Sequence, residues 1–194
     1  MLTTINTYTI ELLGSGKQMI NTIITIGIDP GLTGGIVILR NGSDIINKYI
    51  MPTKDKYLDL VSIRELFTWI KTMYLIEDIQ LGVYLENVHS MPKQGVASSF
   101  KFGRVFGGLE GILTGLKIPF HLVSPQAWQK VLHEGIDRKE IPDPKERSIM
   151  VANRLYESGD FRATTRCSVP HKGLVDAYLI ALYGYKQLSM EVVK

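Results

Sequence analysis

The chain has 194 residues, of which 45% are hydrophobic and 21% charged, and this composition is typical of one folded domain. It argues against a disordered chain or a coiled coil, and no apolar run reaches the roughly 20 residues of a membrane-spanning helix. The formal net charge is only +3 and Cys167 is the single cysteine, so charge alone does not indicate nucleic-acid binding and no internal disulfide can form.

The beginning of the chain differs from the rest. Residues 1–18 are mostly polar and have neither the basic start nor the apolar run of a signal peptide. Met19 then leads directly into a β-branched apolar segment. We therefore expect residues 1–18 to be an extension, disordered or packed on the surface, and residues 19–194 to form one domain. With a lone cysteine and no signal-peptide pattern, we expect a cytoplasmic location.

The first half of this domain is predicted to consist mainly of strands. Three strands are predicted at 23–28, 34–39 and 44–51. A helix at 60–74 and a fourth strand at 81–85 follow them. The first strand ends in a turn at Asp29-Pro30-Gly31, and Asn41-Gly42 forms a hairpin turn between the next two. The fourth strand leads directly to Glu86.

A row of glycines distinguishes the next predicted helix, which follows Pro92. Its apolar residues recur at helical spacing from Phe102 to Leu116. A glycine falls at every fourth position among them: Gly103, Gly107, Gly111 and Gly115. Because each glycine costs about 1 kcal/mol in a helix interior, we expect another backbone to approach this face closely. The row then either packs on another element of the fold or contacts nucleic acid.

A strand at 119–123 and three helices complete the predicted order. Ser124-Pro125 and Asp143-Pro144 are typical helix starts, and the last helix, at 174–185, is apolar. The order β-β-β-α-β-α-β-α-α-α predicts an α/β fold, with a mixed sheet flanked by helices as in ribonuclease H-like proteins. Trp69 and Trp128 are expected to pack from their helices onto the sheet.

Three acids are candidates for a metal site. Asp29 and Glu86 each follow a buried strand, where an unpaired carboxylate is costly, so Asp29 either caps its turn or holds a cation. Asp176 lies on the apolar last helix, where it either faces solvent or needs a partner. Oxygen ligands favour Mg²⁺ or Mn²⁺. Two such ions can hold the attacking water and the leaving oxygen in phosphodiester hydrolysis.

Four segments of the chain, in order, resemble the RuvC family of Holliday-junction resolvases, in its bacteriophage form. They are IGIDPGLTGGIVIL, YLENVHSMPKQGVASSFKFGRVFGGLEGIL, VSPQAWQKVL and HKGLVDAYLIALYG. The resemblance runs from about residue 23 to residue 185. It implies a ribonuclease H-like fold, a homodimer, four-way junction DNA as the substrate, and one or two Mg²⁺ ions per subunit, which Mn²⁺ can replace.

The resemblance also implies catalytic roles. Asp29, Glu86 and Asp176 match the metal-binding carboxylates of the family. The chain departs from the pattern at Gly173, where bacterial members often carry an acid or a histidine. His171 is therefore the candidate for a fourth ligand or for a general base that orients water, the alternative being a loop histidine without a role.

Basic residues near these acids are candidates for DNA contact. Residues 91–130 contain five bases and one acid, a net charge of +4 that suits phosphate binding, although a solvated helix face would look the same. The family uses an aromatic wedge to unstack bases; His89 aligns with it, and Met91 is an alternative apolar wedge. Lys145 resembles a family lysine at the scissile phosphate, and Lys130 is a poorer match to a second one. The candidate set is His89, Met91, Lys93, Lys101, Arg104, Lys130 and Lys145.

These features together predict a crossover junction endodeoxyribonuclease. It would resolve four-way junctions by paired, metal-dependent hydrolysis that leaves 5′-phosphate and 3′-hydroxyl ends, a reaction used in DNA recombination and repair. Two alternatives stay open: a related nuclease acting on other branched or flap DNA, and a junction-binding protein without catalysis.

Overall fold

The computed structural model describes residues 22–76, 79–87, 95–156 and 159–192, and the predicted extension at 1–18 lies outside them. The described residues form seven strands: β1 (Ile23–Asp29), β2 (Gly35–Arg40), β3 (Asp44–Ile50), β4 (Thr53–Lys54), β5 (Tyr57–Leu58), β6 (Gln80–Glu86) and β7 (His121–Val123). They also form five helices: α1 (Leu60–Ile76), α2 (Val96–Gly115), α3 (Pro125–Leu132), α4 (Pro144–Leu155) and α5 (Lys172–Val192). The predicted order is confirmed, except that the short β4–β5 hairpin was not predicted.

Five strands form one mixed sheet in the order β3-β2-β1-β6-β7. The first three are antiparallel neighbours, whereas β6 runs parallel to β1 and β7 runs parallel to β6. The turn between β2 and β3 is made by Asn41 and Gly42, both with positive φ, as the hairpin prediction requires. The carboxyl ends of three parallel strands therefore meet at one edge of the sheet.

The two faces of the sheet are covered by different helices. Side chains alternate along a strand, so Ile24, Ile26 and Ile28 of β1 share one face, which packs against α1 and α2. The opposite face, with Tyr84 of β6, packs against α5 and also contacts α3 and α4. Trp128 is buried as predicted, whereas Trp69 is 45% exposed and lies at the margin of α1, where it lines a shallow cavity with Ile24 and Ile38 of the sheet.

Glycines allow α5 to lie directly on the centre of the sheet. A Cβ at Gly27 of β1 would overlap the carbonyl oxygen of Ala177, in the middle of α5. A Cβ at Gly173 would overlap the backbone of Thr33 and Gly34, in the turn after β1. The position where bacterial family members often carry an acid or histidine thus has no room for a side chain here, and the start of α5 is held against the turn that follows Asp29.

The expectation that the glycine row packs against another element is wrong for the described part of the chain. No described atom would lie within 4 Å of a Cβ at Gly103, Gly107, Gly111 or Gly115. The helix is anchored instead by its buried residues Val105, Leu109 and Leu113, which leave the row on the outward face.

Among the described residues, no helix is long and apolar enough to cross a membrane.

Candidate active site

The register of the parallel strands brings the first two acids together. Ile28 of β1 pairs with Leu85 of β6, so Asp29 and Glu86 each follow one residue later, at the same level of the sheet. Because side chains alternate, both acids belong to the face that α5 covers, opposite Ile28 and Leu85. Pairing of neighbouring parallel strands therefore predicts the proximity of these two carboxylates.

The third acid comes from the beginning of α5. Asp176 is only 2% exposed, and the ammonium of Lys145 donates a hydrogen bond to its Oδ2 in an ion pair. Lys145 is presented by the first turn of α4, where the side chain of Asp143 accepts a hydrogen bond from the backbone N–H of Lys145 at 2.9 Å. The predicted cap at Asp143-Pro144 is confirmed, and it fixes the lysine beside the carboxylates.

A tryptophan holds the second acid. The indole Nε1 of Trp128 donates a hydrogen bond to Oε1 of Glu86 at 2.8 Å, and both side chains are buried. Trp128 is presented by α3, whose start is capped by Ser124. Sequence reasoning assigned Trp128 a packing role only. The available signal was general: the N–H of a buried indole usually finds an acceptor, but nothing local identifies Glu86 as that acceptor.

The electrostatics of the site are dominated by crowded, partly dehydrated carboxylates. Burial, reinforced by the charges of Glu86 and Asp176, raises the pKa of Asp29 to about 7. Burial likewise raises the pKa of Glu86, although the hydrogen bond from Trp128 opposes the shift. Burial lowers the pKa of Lys145, but its carboxylate neighbours, Asp176 first, outweigh this and raise it overall. Several shifted pKa values in one cluster are typical of functional sites.

The carboxylate oxygens of Asp29, Glu86 and Asp176 are suitable ligands for a divalent cation, although their side chains do not surround a common point. Among the described residues, no group of three or more His, Cys, Asp or Glu side chains is arranged to hold a metal ion as it stands. However, Oδ1 of Asp176 is buried and has no hydrogen-bond partner within the described chain. The pKa values of Asp29 and Glu86 are raised, and Asp176 is buried beside them with Lys145 as its ion-pair partner. Among the described residues, three carboxyl groups thus share one ammonium, and the cluster can accept further positive charge. Oxygen-only donors of this kind suit Mg²⁺ or Mn²⁺.

His171 takes a structural position at the start of α5. Its Nδ1 accepts a hydrogen bond from the backbone N–H of Leu174 at 3.3 Å, and its own backbone N–H donates to Phe161. Burial alone lowers the pKa of His171, without a contribution from the three acids. With Nδ1 as the acceptor, the neutral ring carries its proton on Nε2, which is then a donor.

The predicted DNA-binding residues are spread over several elements. Lys101 and Arg104 are exposed on α2, and Lys130 is exposed on α3. Since Lys130 follows the buried Trp128 by two residues, it points away from the carboxylates. Among the described members of the set, Lys145 alone contacts an acid of the site. The remaining candidates, His89, Met91 and Lys93, lie outside the described residues.

Comparisons with known proteins agree with this architecture. No family model and no curated protein sequence matches the chain. Among solved structures, Thermus thermophilus RuvC in complex with a Holliday junction substrate matches with a TM-score of 0.58 and 14% identity, over 87% of this chain and 95% of that one. A second Thermus thermophilus RuvC structure gives 0.55 and 16%, over 87% and 96%. The chain therefore has the mixed α/β, ribonuclease H-like fold of RuvC.

Proposed function

We propose that this protein is a metal-dependent endonuclease that resolves four-way DNA junctions, as a cytoplasmic, phage-type relative of the RuvC family. The observation that carries the proposal is the convergence of Asp29, Glu86 and Asp176, with Lys145, at the carboxyl edge of the sheet. The fold is shared with a RuvC solved in complex with a Holliday junction substrate. That likeness supports a branched DNA substrate.

In this proposal Asp29, Glu86 and Asp176 hold Mg²⁺, with Mn²⁺ as a substitute. When bound, one or two such ions activate water and stabilise the leaving oxygen of an in-line phosphodiester hydrolysis. Trp128 fixes the orientation of Glu86 through its indole N–H. Hydrogen bonds of this type keep a ligating carboxylate in one orientation and so support metal affinity.

Two further side chains act on the phosphate or on water. The side chain of Lys145 is 47% exposed, so its ammonium reaches both Asp176 and the surface that a scissile phosphate would occupy. His171 belongs to the proposed site as a residue that orients water. Because Nδ1 caps α5, a role as general base or fourth ligand requires the ring to give up that cap, whereas donation from Nε2 does not.

DNA outside the cleavage site is contacted by exposed cations. Lys101 and Arg104 on α2 and Lys130 on α3 would neutralise phosphates of the junction arms. The segment containing His89, Met91 and Lys93 supplies the wedge at the crossover in this proposal, because it connects Glu86 to α2 in the sequence.

The glycine row supports a homodimer. The four glycines are exposed, and no atom of the described residues would lie within 4 Å of a Cβ on any of them, so a second backbone can approach α2 closely. The row itself carries no charge that would select phosphate. We therefore assign the row to a second copy of this chain. A dimer supplies two active sites related by a two-fold axis, which suits the symmetric cutting of two strands.

One observation favours an alternative without catalysis. The ion pair between Lys145 and Asp176 places an ammonium where a metal would need that carboxylate, and the described acids are not closed around a metal. A protein that binds junctions without cutting them would retain this arrangement. A nuclease for flap or other branched DNA is the second alternative, and it differs in substrate only.

The decisive experiment compares three substrates with the full chain. A mobile four-way junction, a flap and a linear duplex of the same sequence are incubated with Mg²⁺ or with EDTA, using the unmodified protein and Asp29→Asn. We expect paired, symmetric nicks in the junction only, dependent on Mg²⁺ and lost in Asp29→Asn, while junction binding persists.

Other outcomes identify the alternatives. Binding without cleavage by the unmodified protein in Mg²⁺ and in Mn²⁺ would indicate the non-catalytic protein. Preferred cutting of the flap would indicate the branched-DNA nuclease. Equal cutting of linear duplex would refute selectivity for structure.

The dimer is tested on the glycine row itself. Gly107→Leu and Gly111→Leu are compared with Asn153→Leu, an exposed position on α4, by sedimentation velocity. We expect the two glycine variants to be monomers with an unchanged circular dichroism spectrum, and the control to remain a dimer. Dimeric glycine variants that have lost junction binding would instead assign the row to DNA.

A further inference from the structure

A second concave site lies on the other face of the sheet. The β4–β5 hairpin and the first half of α2 enclose an open cavity of about 240 Å³. This is below the roughly 300–1,000 Å³ of pockets for drug-sized molecules, so its occupant is small. Leu32 forms part of the wall and belongs to the turn directly after Asp29. The cavity therefore borders the edge of the sheet where Asp29, Glu86 and Asp176 converge, which we call the carboxylate edge.

Three cations line this cavity. Lys56 comes from the hairpin and Lys101 and Arg104 come from α2, and the described residues of the wall include no acid. Residues 101 and 104 are one helical turn apart, so both face the same side of α2. A ligand in this cavity is expected to be small and to be covalently attached to a negatively charged group, as a nucleobase is attached through its sugar to phosphates.

Aromatic rings are exposed in the same place. Phe100 is 70% exposed and Tyr57 is 53% exposed, which is unusual for two large rings beside one cavity. The guanidinium of Arg104 lies 4.7 Å from the centre of the Tyr57 ring, so Tyr57 holds Arg104 in place. The Phe100 ring, at the rim, is then the available stacking surface. Exposed rings interleaved with cations are the pattern by which proteins bind unstacked bases.

The hairpin adopts an unfavourable backbone conformation to make this wall. Asp55 and Lys56 have φ values of 52° and 66°, in the left-handed region where a side chain costs roughly 1–2 kcal/mol per residue. Glycine would form the same turn without that cost. A lysine at position 56, despite this cost, is explained if its ammonium contacts a ligand in the cavity that it lines.

We propose that this cavity binds one unstacked nucleobase of the DNA substrate, next to the nucleotide at the cleavage site. The base stacks on Phe100 above an apolar floor, while Lys56, Lys101 and Arg104 contact its flanking phosphates. This inference rests on the proposed function, because it places a base of that substrate beside the carboxylate edge. It makes the β4–β5 hairpin part of the DNA-binding surface.

The test uses the full chain carrying Asp29→Asn, so that DNA is bound but not cut. Junctions with 5-iodouracil at single positions around the crossover are irradiated, and cross-linked peptides are identified by mass spectrometry. We expect a cross-link to Phe100 from one or two adjacent positions. Phe100→Ala should weaken junction binding by about 5- to 100-fold, whereas Phe100→Tyr should keep it within about twofold.

Trp69→Ala is the matched control, since it removes an exposed aromatic at the opposite end of β1, beside Ile24. It should change junction binding by less than twofold. Cross-links confined to other elements, or unchanged binding by Phe100→Ala, would overturn the inference while leaving the proposed function standing. A monomeric Phe100→Ala would also overturn it, by assigning Phe100 to the dimer. Failure of the unmodified chain to bind junctions would refute the proposed function itself.

Discussion

The carboxylate edge of the sheet and the outer face of α2 differ in packing: polar and small residues are tightly packed at the edge and exposed on α2. At the edge, Asp176 is almost completely buried, Glu86 is held by Trp128, and α5 lies so close that glycine is required at position 27. On α2 the four glycines of the row have open space around them. The edge is therefore determined by contacts within one chain.

The difference shows which features depend on a partner. Burial of several acids opposes folding, since the charged forms are dehydrated and repel one another, and the cation proposed above would offset this repulsion. An exposed glycine row also weakens its helix, and nothing within the described chain compensates for it. Each region has an unfavourable free-energy term that the proposed binding would offset: a metal ion at the acids, and a second copy of the chain at the glycine row.

The largest expected effect is on catalysis at the buried edge. Asp176→Asn should lower junction cleavage on the order of 10³-fold or more, because it removes one of the three proposed metal ligands, which would act as a unit. Glu110→Gln, which neutralises an acid on α2, should change cleavage less than threefold. Single-turnover rates on a four-way junction measure both. Activity of Asp176→Asn within tenfold of the unmodified protein would remove this acid from the proposed site.

Substituting a tightly packed glycine of the sheet should destabilise the protein far more than substituting an exposed glycine of the row. Gly27→Ala should lower the free energy of unfolding by about 3 kcal/mol or more, because the new methyl group overlaps the backbone of α5. Gly107→Ala should change it by no more than about 1 kcal/mol, since the methyl group enters open space. Urea unfolding at low protein concentration compares the two. Equal losses would mean that the glycine row packs within the protomer after all.

The metal-free protein should lose stability as the pH rises. Burial raises the pKa of Asp29 from 3.8 to about 7 in the folded state, so the folded state binds more protons than the unfolded state between these values. Its stability therefore falls as the pH rises from about 4 to about 7. In EDTA, the unmodified protein should lose about 2 kcal/mol more than Asp29→Asn between pH 5 and pH 8.

Thermal unfolding of both proteins at the two pH values measures this difference, and saturating Mg²⁺ at pH 8 should reduce it, because a bound cation stabilises the ionised carboxylate. Parallel pH profiles for the two proteins in EDTA would contradict the assigned environment of Asp29.

The smallest effect concerns the orientation of Glu86. Trp128→Phe keeps most of the buried ring but removes the N–H that donates to Glu86, and should raise the Mg²⁺ concentration needed for half-maximal cleavage by about 10- to 100-fold. Trp69→Phe, on the exposed side of α1, should leave it unchanged. A lower cleavage rate with the same Mg²⁺ requirement would indicate that Trp128 serves packing alone.

Much of the fold could be predicted because its signals are local. The β-branched run before Asp29, the Asn41-Gly42 turn and the caps at Ser124 and Asp143 each depend on residues a few positions apart. The β4–β5 hairpin was missed because its strands are two residues long and because Lys56 follows Asp55 in the turn, where a typical hairpin turn has glycine.

Within the candidate site, the sequence by itself determined which acids end strands or begin the last helix, and pairing of parallel strands makes the proximity of Asp29 and Glu86 predictable. The tertiary structure alone decided their partners. Lys145 reaches Asp176 across 31 positions and Trp128 reaches Glu86 across 42, so no local pattern encodes either contact. It also decided that the glycine row faces outward, because a helical period shows which residues share a face but not what lies against that face.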